Sequence, residues 1–274
     1  MIGEEKEISF HTSDGLLLKG TLLIPNMNIR HMSLLVHGIT VNREEDGFYT
    51  DLSKRLSSIG SASLRFDLPG HGSSQGSYEK LTLTKVISAI EMAYRELYKS
   101  LLPNDVPLNV IASSFGGGLS ACWAAKNQDK LRTLILLNPL LEYDRHMLFS
   151  KPFWNNGKLT TQGIETLDSQ GWLPHGEFCM GEEMINDLLL IKPHKIMQSL
   201  KIPVLTIHGD SDSVVSFDAA KKYSITNKNS AFIPIHGADH GFSHPEDTGF
   251  NHPDTIKFHN IVFDKVVNWV GEIF

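Results

Sequence analysis

Residues 112–116 read Ala112-Ser113-Ser114-Phe115-Gly116, with the apolar run Leu108–Ile111 before them and a small-residue helical pattern after them. The pattern is small-x-Ser-x-small between a strand and a helix, a variant of the G-x-S-x-G nucleophile elbow with Ala at the first small position. A serine at such a place sits on a tight, strained turn, where bulky residues two places to either side would clash. The helix that follows aims its first amides and the positive end of its dipole at any oxyanion formed beside the hydroxyl. Attack by a serine also needs a base and a group that orients the base. Two later segments carry such residues: His208-Gly209-Asp210-Ser211-Asp212 and Gly237-Ala238-Asp239-His240. Each follows an apolar run (Pro203–Ile207 and Ala231–Ile235), so each falls at the C-terminal end of a strand. That is the edge where open α/β sheets place their sites. The chain order is Ser114, then aspartate, then His240.

The elements needed to position these residues can be read along the chain. Glu7–His11 and Leu16–Ile24 form a hairpin pattern around the turn residues Ser13-Asp14-Gly15. Met32–Val36, Ser61–Phe66, Leu108–Ala112, Leu131–Leu137, Pro203–His208 and Ala231–Ile235 complete eight strand candidates, the second of them antiparallel. Helical patterns cover Gly47–Ile59, Leu83–Leu101, Gly116–Lys126 and Ile256–Phe274. Apolar runs alternating with helices predict a mainly parallel sheet covered on both faces. Residues 140–191 break this rhythm. They hold Phe149, Phe153, Trp154, Trp172, Leu173, Phe178 and Met180 among Gly, Pro and polar residues. A connection of that length is expected to be a cap over a pocket, with Trp154 and Trp172 as its candidate substrate-binding residues. The whole chain, 1–274, is expected to form one domain carrying this insertion.

Five segments carry a resemblance: His37-Gly38-Ile39-Thr40, Arg65-Phe66-Asp67-Leu68-Pro69-Gly70-His71-Gly72-Ser73-Ser74, the elbow at Ser114, His208-Gly209-Asp210-Ser211-Asp212, and Gly237-Ala238-Asp239-His240. With them the chain resembles an α/β-hydrolase-fold serine hydrolase. It is similar above all to the bacterial cinnamoyl/feruloyl esterase-like carboxylesterases, and more loosely to the bacterial acyl-transferase thioesterases of that superfamily. Many of these relatives have Gly-His-Ser in the elbow where this chain has Ala112-Ser113-Ser114. The resemblance implies Ser114 as nucleophile, His240 as base and then acid, and Asp212 rather than Asp210 as orienter. It implies an oxyanion hole made of the backbone N–H groups of Ile39 and Phe115. His37, Arg65, Asp67 and His71 are expected to be structural.

The implied reaction is hydrolysis of a carboxylic ester through an acyl-enzyme, with an aromatic or medium-chain acyl group and no cofactor. Thioester hydrolysis or acyl transfer would use the same machinery, and a catalytically inactive binding protein is the alternative outside enzymes. Asp at position 114 would have pointed to dehalogenases or epoxide hydrolases, and Cys to dienelactone hydrolases. His236, His240 and His244 recur every fourth residue, but Gly237, Gly241 and Pro245 break the helix that zinc ligation at this spacing needs. No metal is therefore expected. The balance of 25 basic and 31 acidic side chains, net −6, lacks the basic tract that nucleic-acid binding requires. The two cysteines, Cys122 and Cys179, suit a reducing cytoplasm. The charged start MIGEEKEISF carries no secretory pattern, and no apolar run is long enough to span a bilayer. A small-molecule ester or thioester is the expected partner.

Overall fold

Alternation along the central strands decides the layering. In the strand His31–Val36, Leu34 and Val36 pack into one apolar cluster while Leu35 packs into another on the opposite face. Leu108–Ser113 repeats this with Val110 and Ala112 against Ile111, and Leu131–Leu137 with Leu134 and Leu136 against Ile135 and Leu137. Side chains with a period of two, apolar on both faces, define a strand buried on both faces. The computed structural model describes residues 3–101, 106–225, 228–247 and 249–272. Its strands are β1 (Glu4–His11), β2 (Leu17–Ile24), β3 (His31–Val36), β4 (Ser61–Phe66), β5 (Leu108–Ser113), β6 (Leu131–Leu137), β7 (Trp154–Asn155), β8 (Lys158–Leu159), β9 (Trp172–His175), β10 (Phe178–Gly181), β11 (Val204–Gly209) and β12 (Ser230–Ile235). Its helices are α1 (Phe48–Ser57), α2 (Leu83–Ser100), α3 (Ser114–Lys126), α4 (Thr161–Gln170), α5 (Glu182–Leu190), α6 (Pro193–Ile196), α7 (Phe217–Ser224) and α8 (Pro253–Glu272).

All eight strands expected from the sequence lie in one sheet, in the order β1-β2-β4-β3-β5-β6-β11-β12. Strand β2 runs antiparallel to both of its neighbours, and the other pairings are parallel. Helices α2 and α3 cover one face and α1 and α8 the other. The C-terminal helix starts at Pro253, earlier than its apolar pattern suggests, and the end expected at Phe274 lies outside the described residues.

The segment 140–191 is more regular than its composition suggests. It contains the hairpins β7–β8 and β9–β10 and the helices α4 and α5. The local signals are present in the sequence. Asn156 and Gly157 both take positive φ (49° and 76°) between β7 and β8, as a tight hairpin turn requires. Thr160 caps α4 by accepting from the Gly163 amide at 3.1 Å, and Gly171 closes that helix at φ 79°.

Helix α3 approaches the sheet more closely than ordinary side chains allow. A Cβ on Gly116 would lie 2.4 Å from the His37 carbonyl oxygen and 2.8 Å from that of Val36. Here the glycine is needed because β3 backbone occupies the space. Gly116→Ala is expected to cost about 1–3 kcal/mol through forced backbone displacement. Thermal denaturation should show a midpoint several degrees lower; an unchanged midpoint would mean the helix can shift freely.

Candidate active site

The elbow is a left-handed backbone. Ser114, the first residue of α3, has φ 46° although it carries a Cβ. Such a conformation costs on the order of 1–3 kcal/mol and persists only when its surroundings fix it. The strand β5 ending at Ser113, the contact of Gly116 with β3 and the Leu140 N–H donated to the Ser114 carbonyl (2.9 Å) provide that fixation. Phe115 follows in the first turn, so its amide is among the four that no carbonyl of the helix can satisfy. Its ring is buried edge-on against Tyr143, with centroids 5.4 Å apart, and its carbonyl accepts from the Tyr143 hydroxyl.

Two loops meet the elbow. His240 follows β12, and Asp212 follows β11. Asp239 ties the loops together, accepting from the His240 amide at 2.7 Å and the Ser213 amide at 2.7 Å. His240 Nδ1 donates to Asp212 Oδ2 at 2.8 Å, and His240 Nε2 lies 3.0 Å from Ser114 Oγ. A proton fixed on Nδ1 by a carboxylate leaves the Nε2 lone pair facing the hydroxyl. The structure thus brings together Ser114, Asp212 and His240 from three separate strand ends. Asp210 instead ties its loop to the turn after β12, accepting from His236 Nδ1 and the Gly237 amide, each at 2.7 Å.

The Asp212 carboxyl is fully enclosed. Its Oδ1 accepts from the Val214 and Val215 amides at 2.9 and 2.7 Å, and its Oδ2 also faces His208 Nε2 at 3.1 Å. Burial alone would raise its pKa. Hydrogen bonds from His208 and His240, the imidazole charge and the Val215 amide outweigh that and hold the carboxyl well below the usual carboxylate range. His208 is buried and was not singled out from the sequence, although its i, i+4 spacing to Asp212 across a tight turn was visible.

The opposite wall is built on His37. Its Nδ1 donates to the Gly38 carbonyl at 2.6 Å, and its Nε2 accepts from the Leu68 amide at 2.9 Å. In a trans peptide the C=O and the following N–H point in opposite directions. Anchoring the Gly38 carbonyl therefore also sets the direction of the Ile39 N–H. Gly38 N–H and Ser113 Oγ–H both donate to Glu45 Oε1, at 2.6 and 2.5 Å. Glu45 is a second residue that the sequence reading missed. Arg65, Asp67 and His71 are buried. Asp67 accepts from Arg43 N, Arg43 Nη1 and Ser73 N, which pins the Gly-rich loop after β4, and Arg65 pairs with Glu44 and Glu5.

Ser114, Ile39, Phe115 and His240 line a cavity of about 350 Å³ with mostly apolar walls. The segment 140–191 contributes Leu140, His146, Met147 and His175 to it. Trp154 and Trp172 are not among the lining residues. Along β9, Leu173 and His175 share one face, so alternation turns Trp172 to the other. Trp154 is buried edge-on against Phe149, with centroids 5.7 Å apart. Outside the cavity lining, His244, His252 and Asp254 lie close enough to hold a cation. The Nδ1 atoms of both histidines already accept amides, from Glu246 at 3.3 Å and Asp254 at 3.2 Å.

The sheet order, the left-handed serine and the loops at the strand ends define an α/β hydrolase. The chain belongs to the Hydrolase_4 family, described as serine aminopeptidase, S33, whose profile matches residues 28–167. Among solved structures it is similar to Est1E from Butyrivibrio proteoclasticus with ferulic acid bound, at TM-score 0.78 and 23% identity over 97% of this chain and 98% of that one. It is also similar to the α/β hydrolase GrgF from Penicillium sp. sh18, at TM-score 0.69 and 17% identity over 96% and 98% of the two chains. The Pyrococcus furiosus esterase Pf2001 aligns at TM-score 0.64 and 19% identity over 99% and 92%. No curated protein matches the sequence at a significant level. No helix among the described residues is long and apolar enough to cross a membrane.

A pH dependence of stability follows from His37. Burial first, and His71 second, lower its pKa to about 3. The folded state keeps this ring neutral while the unfolded chain takes up a proton below about pH 6.5. Its contribution is therefore fully present above pH 6.5 and is lost as pH falls toward 3. The depressed Asp212 carboxyl acts later, from about pH 4 downward. Denaturant titrations at pH 7, 5.5 and 4.5 should show falling stability, and His37→Gln should flatten that slope. A variant with the wild-type slope would remove His37 as its source.

Proposed function

We propose that this protein hydrolyses carboxylic esters through an acyl-enzyme. The observation that carries this reading is the continuous hydrogen-bonded chain from Ser114 Oγ through His240 to a buried, anionic Asp212, opening into an apolar cavity. Ser114 attacks the carbonyl while His240 Nε2 takes its proton. The tetrahedral oxyanion is received by the amides of Phe115 and Ile39. His240 then protonates the leaving alcohol. A water deprotonated by the same imidazole releases the acid. Asp212 keeps the ring in the required tautomer and stabilises the imidazolium.

In this reading residues 140–191 act as a cap on a single hydrolase domain, and the acyl group rests among Leu140, Met147 and His175. Its apolar character suits an aromatic or medium-chain acyl group. The resemblance to the ferulic-acid-bound Est1E supports an aromatic one. The family description brings in amides of amino acids as a second substrate type for the same serine.

Three measurements test the proposal. Ser114→Ala should remove hydrolysis by several orders of magnitude and abolish labelling by a fluorophosphonate, with folding unchanged. A wild type that fails to label would instead identify an inactive binding protein. Asp212→Asn should lose on the order of 10³–10⁴ in rate, whereas Asp210→Asn should stay within a few-fold. Equal losses in the two would leave the orienter unassigned. Across a panel of aryl, alkyl and thiol esters and aminoacyl anilides, Met147→Ala and His175→Ala should shift acyl selectivity and leave acetyl ester turnover nearly intact. Trp172→Ala should leave the selectivity unchanged. The opposite pattern would place acyl recognition on the tryptophan face of the cap.

A further inference from the structure

The segment between β3 and α1 holds a cluster of unusual backbone. Thr40, Glu45, Asp46 and Gly47 all take positive φ, at 66°, 53° and 93° for Thr40, Asp46 and Gly47 and 46° for Glu45. Two adjacent non-glycine residues in the left-handed region are costly, and such outliers gather where structure serves a site. The turn has one evident result: it directs the Glu45 side chain back to the strand ends. There Oε1 accepts from the Gly38 amide at 2.6 Å and the Ser113 hydroxyl at 2.5 Å. Tyr49 supports the same point, its Oη lying 3.1 Å from Ser113 Oγ and 3.0 Å from the Val36 carbonyl oxygen. Glu45 also lines the cavity with Ser114 and His240.

We infer that Glu45 is the positioning residue of the oxyanion hole, a single carboxylate oxygen clamping the end of β3 to the end of β5. The inference rests on the ester-hydrolase reading above and names a residue which that reading does not use. The two halves of the hole come from different strands. Gly38 precedes Ile39, and Ser113 precedes Ser114 and Phe115. Their relative placement is not fixed by either strand end alone. The β3–β5 ladder ends at Val36 and Ala112, and the Gly116 contact brings the two strand ends together. Beyond the ladder Glu45 is bonded to both sides and so fixes the final spacing of the Ile39 and Phe115 amides. The carboxylate faces two donors rather than the developing oxyanion. Burial pushes its pKa up, against the two hydrogen bonds and the charge of His240. The role needs an acceptor oxygen at this point and does not need a negative charge.

The test compares Glu45→Ala with Glu45→Gln, using steady-state hydrolysis of one aryl ester and the rate of fluorophosphonate labelling of Ser114. A misplaced donor pair weakens only the transition state, so Glu45→Ala should lower kcat about 10–100-fold. KM should change by less than about 3-fold, and labelling should slow in parallel with kcat. Glutamine keeps the acceptor oxygen and should restore kcat to within about 5-fold of wild type. If Glu45→Ala does not fold, Ser113→Ala removes one of the two donors and should lower kcat several-fold at unchanged KM. Wild-type kcat in Glu45→Ala, a loss confined to KM, or a glutamine variant as slow as the alanine would each overturn the clamp while leaving the hydrolase reading intact. A wild type that neither hydrolyses esters nor labels overturns that reading, and the clamp with it.

Discussion

The contact between α3 and β3 is the constraint on which the rest of the site depends. Gly116 lets the helix axis come within backbone distance of the His37 and Val36 carbonyls. With the helix held there, the chain between β5 and α3 has no room for an ordinary turn, and Ser114 is forced into the left-handed region. The hydroxyl is then presented above the sheet edge, and the Phe115 amide lies at a helix start without an intrahelical acceptor. The same contact brings the end of β3 beside the elbow, which is why Gly38 and Ser114 are neighbours. One absent methyl group thus connects the left-handed Ser114, the start of α3 and the end of β3.

Electrostatics in the site follow from how each group is enclosed. Asp212 is buried but surrounded by four donors, so it remains an anion. His37 is equally buried, with one donor and one acceptor arranged around its neutral form, so it remains uncharged. His37 directly follows β3 and His240 lies in the loop after β12, and each ring has a hydrogen-bond partner at both nitrogens. The difference is exposure. His240 borders the cavity and can exchange its proton there, whereas His37 is sealed beneath the Gly-rich loop after β4. Chemistry needs the first arrangement and architecture the second.

Much of this was legible from local pattern. The eight strands showed because a doubly buried strand is a continuous apolar run, and the elbow showed because close backbone packing admits only small residues. Ser114, Asp212 and His240 could be named because each lies just past such a run. Other features were hidden for physical reasons. Glu45 matters only because three consecutive positive φ values fold it back on the strand ends, and nothing in a Glu-Asp-Gly triplet specifies its distant acceptor role. Residues 140–191 misled through their tryptophans. Large aromatics signal burial, but burial can be under a hairpin or in a cavity, and the two-residue period of β9 sends Trp172 away from the face that carries His175. Composition also concealed the regularity of that segment, although Asn156-Gly157 and the Thr160 cap were signals of a hairpin and a helix.

The chain leaves the sheet after β6 and returns at β11, and these two strands are adjacent and parallel. Everything between them begins and ends at neighbouring points of the sheet. The entropy of closing such a loop grows only logarithmically with its length, roughly 0.6 kcal/mol for each doubling. Loop closure therefore sets little limit on the length of the connecting segment; its contacts do, since Leu140 and Tyr143 hold the elbow backbone and Trp154, Leu173 and Phe178 are buried in the core. Freedom to vary in length falls instead on the parts that face outward, such as α4, of which Gly163 alone is buried.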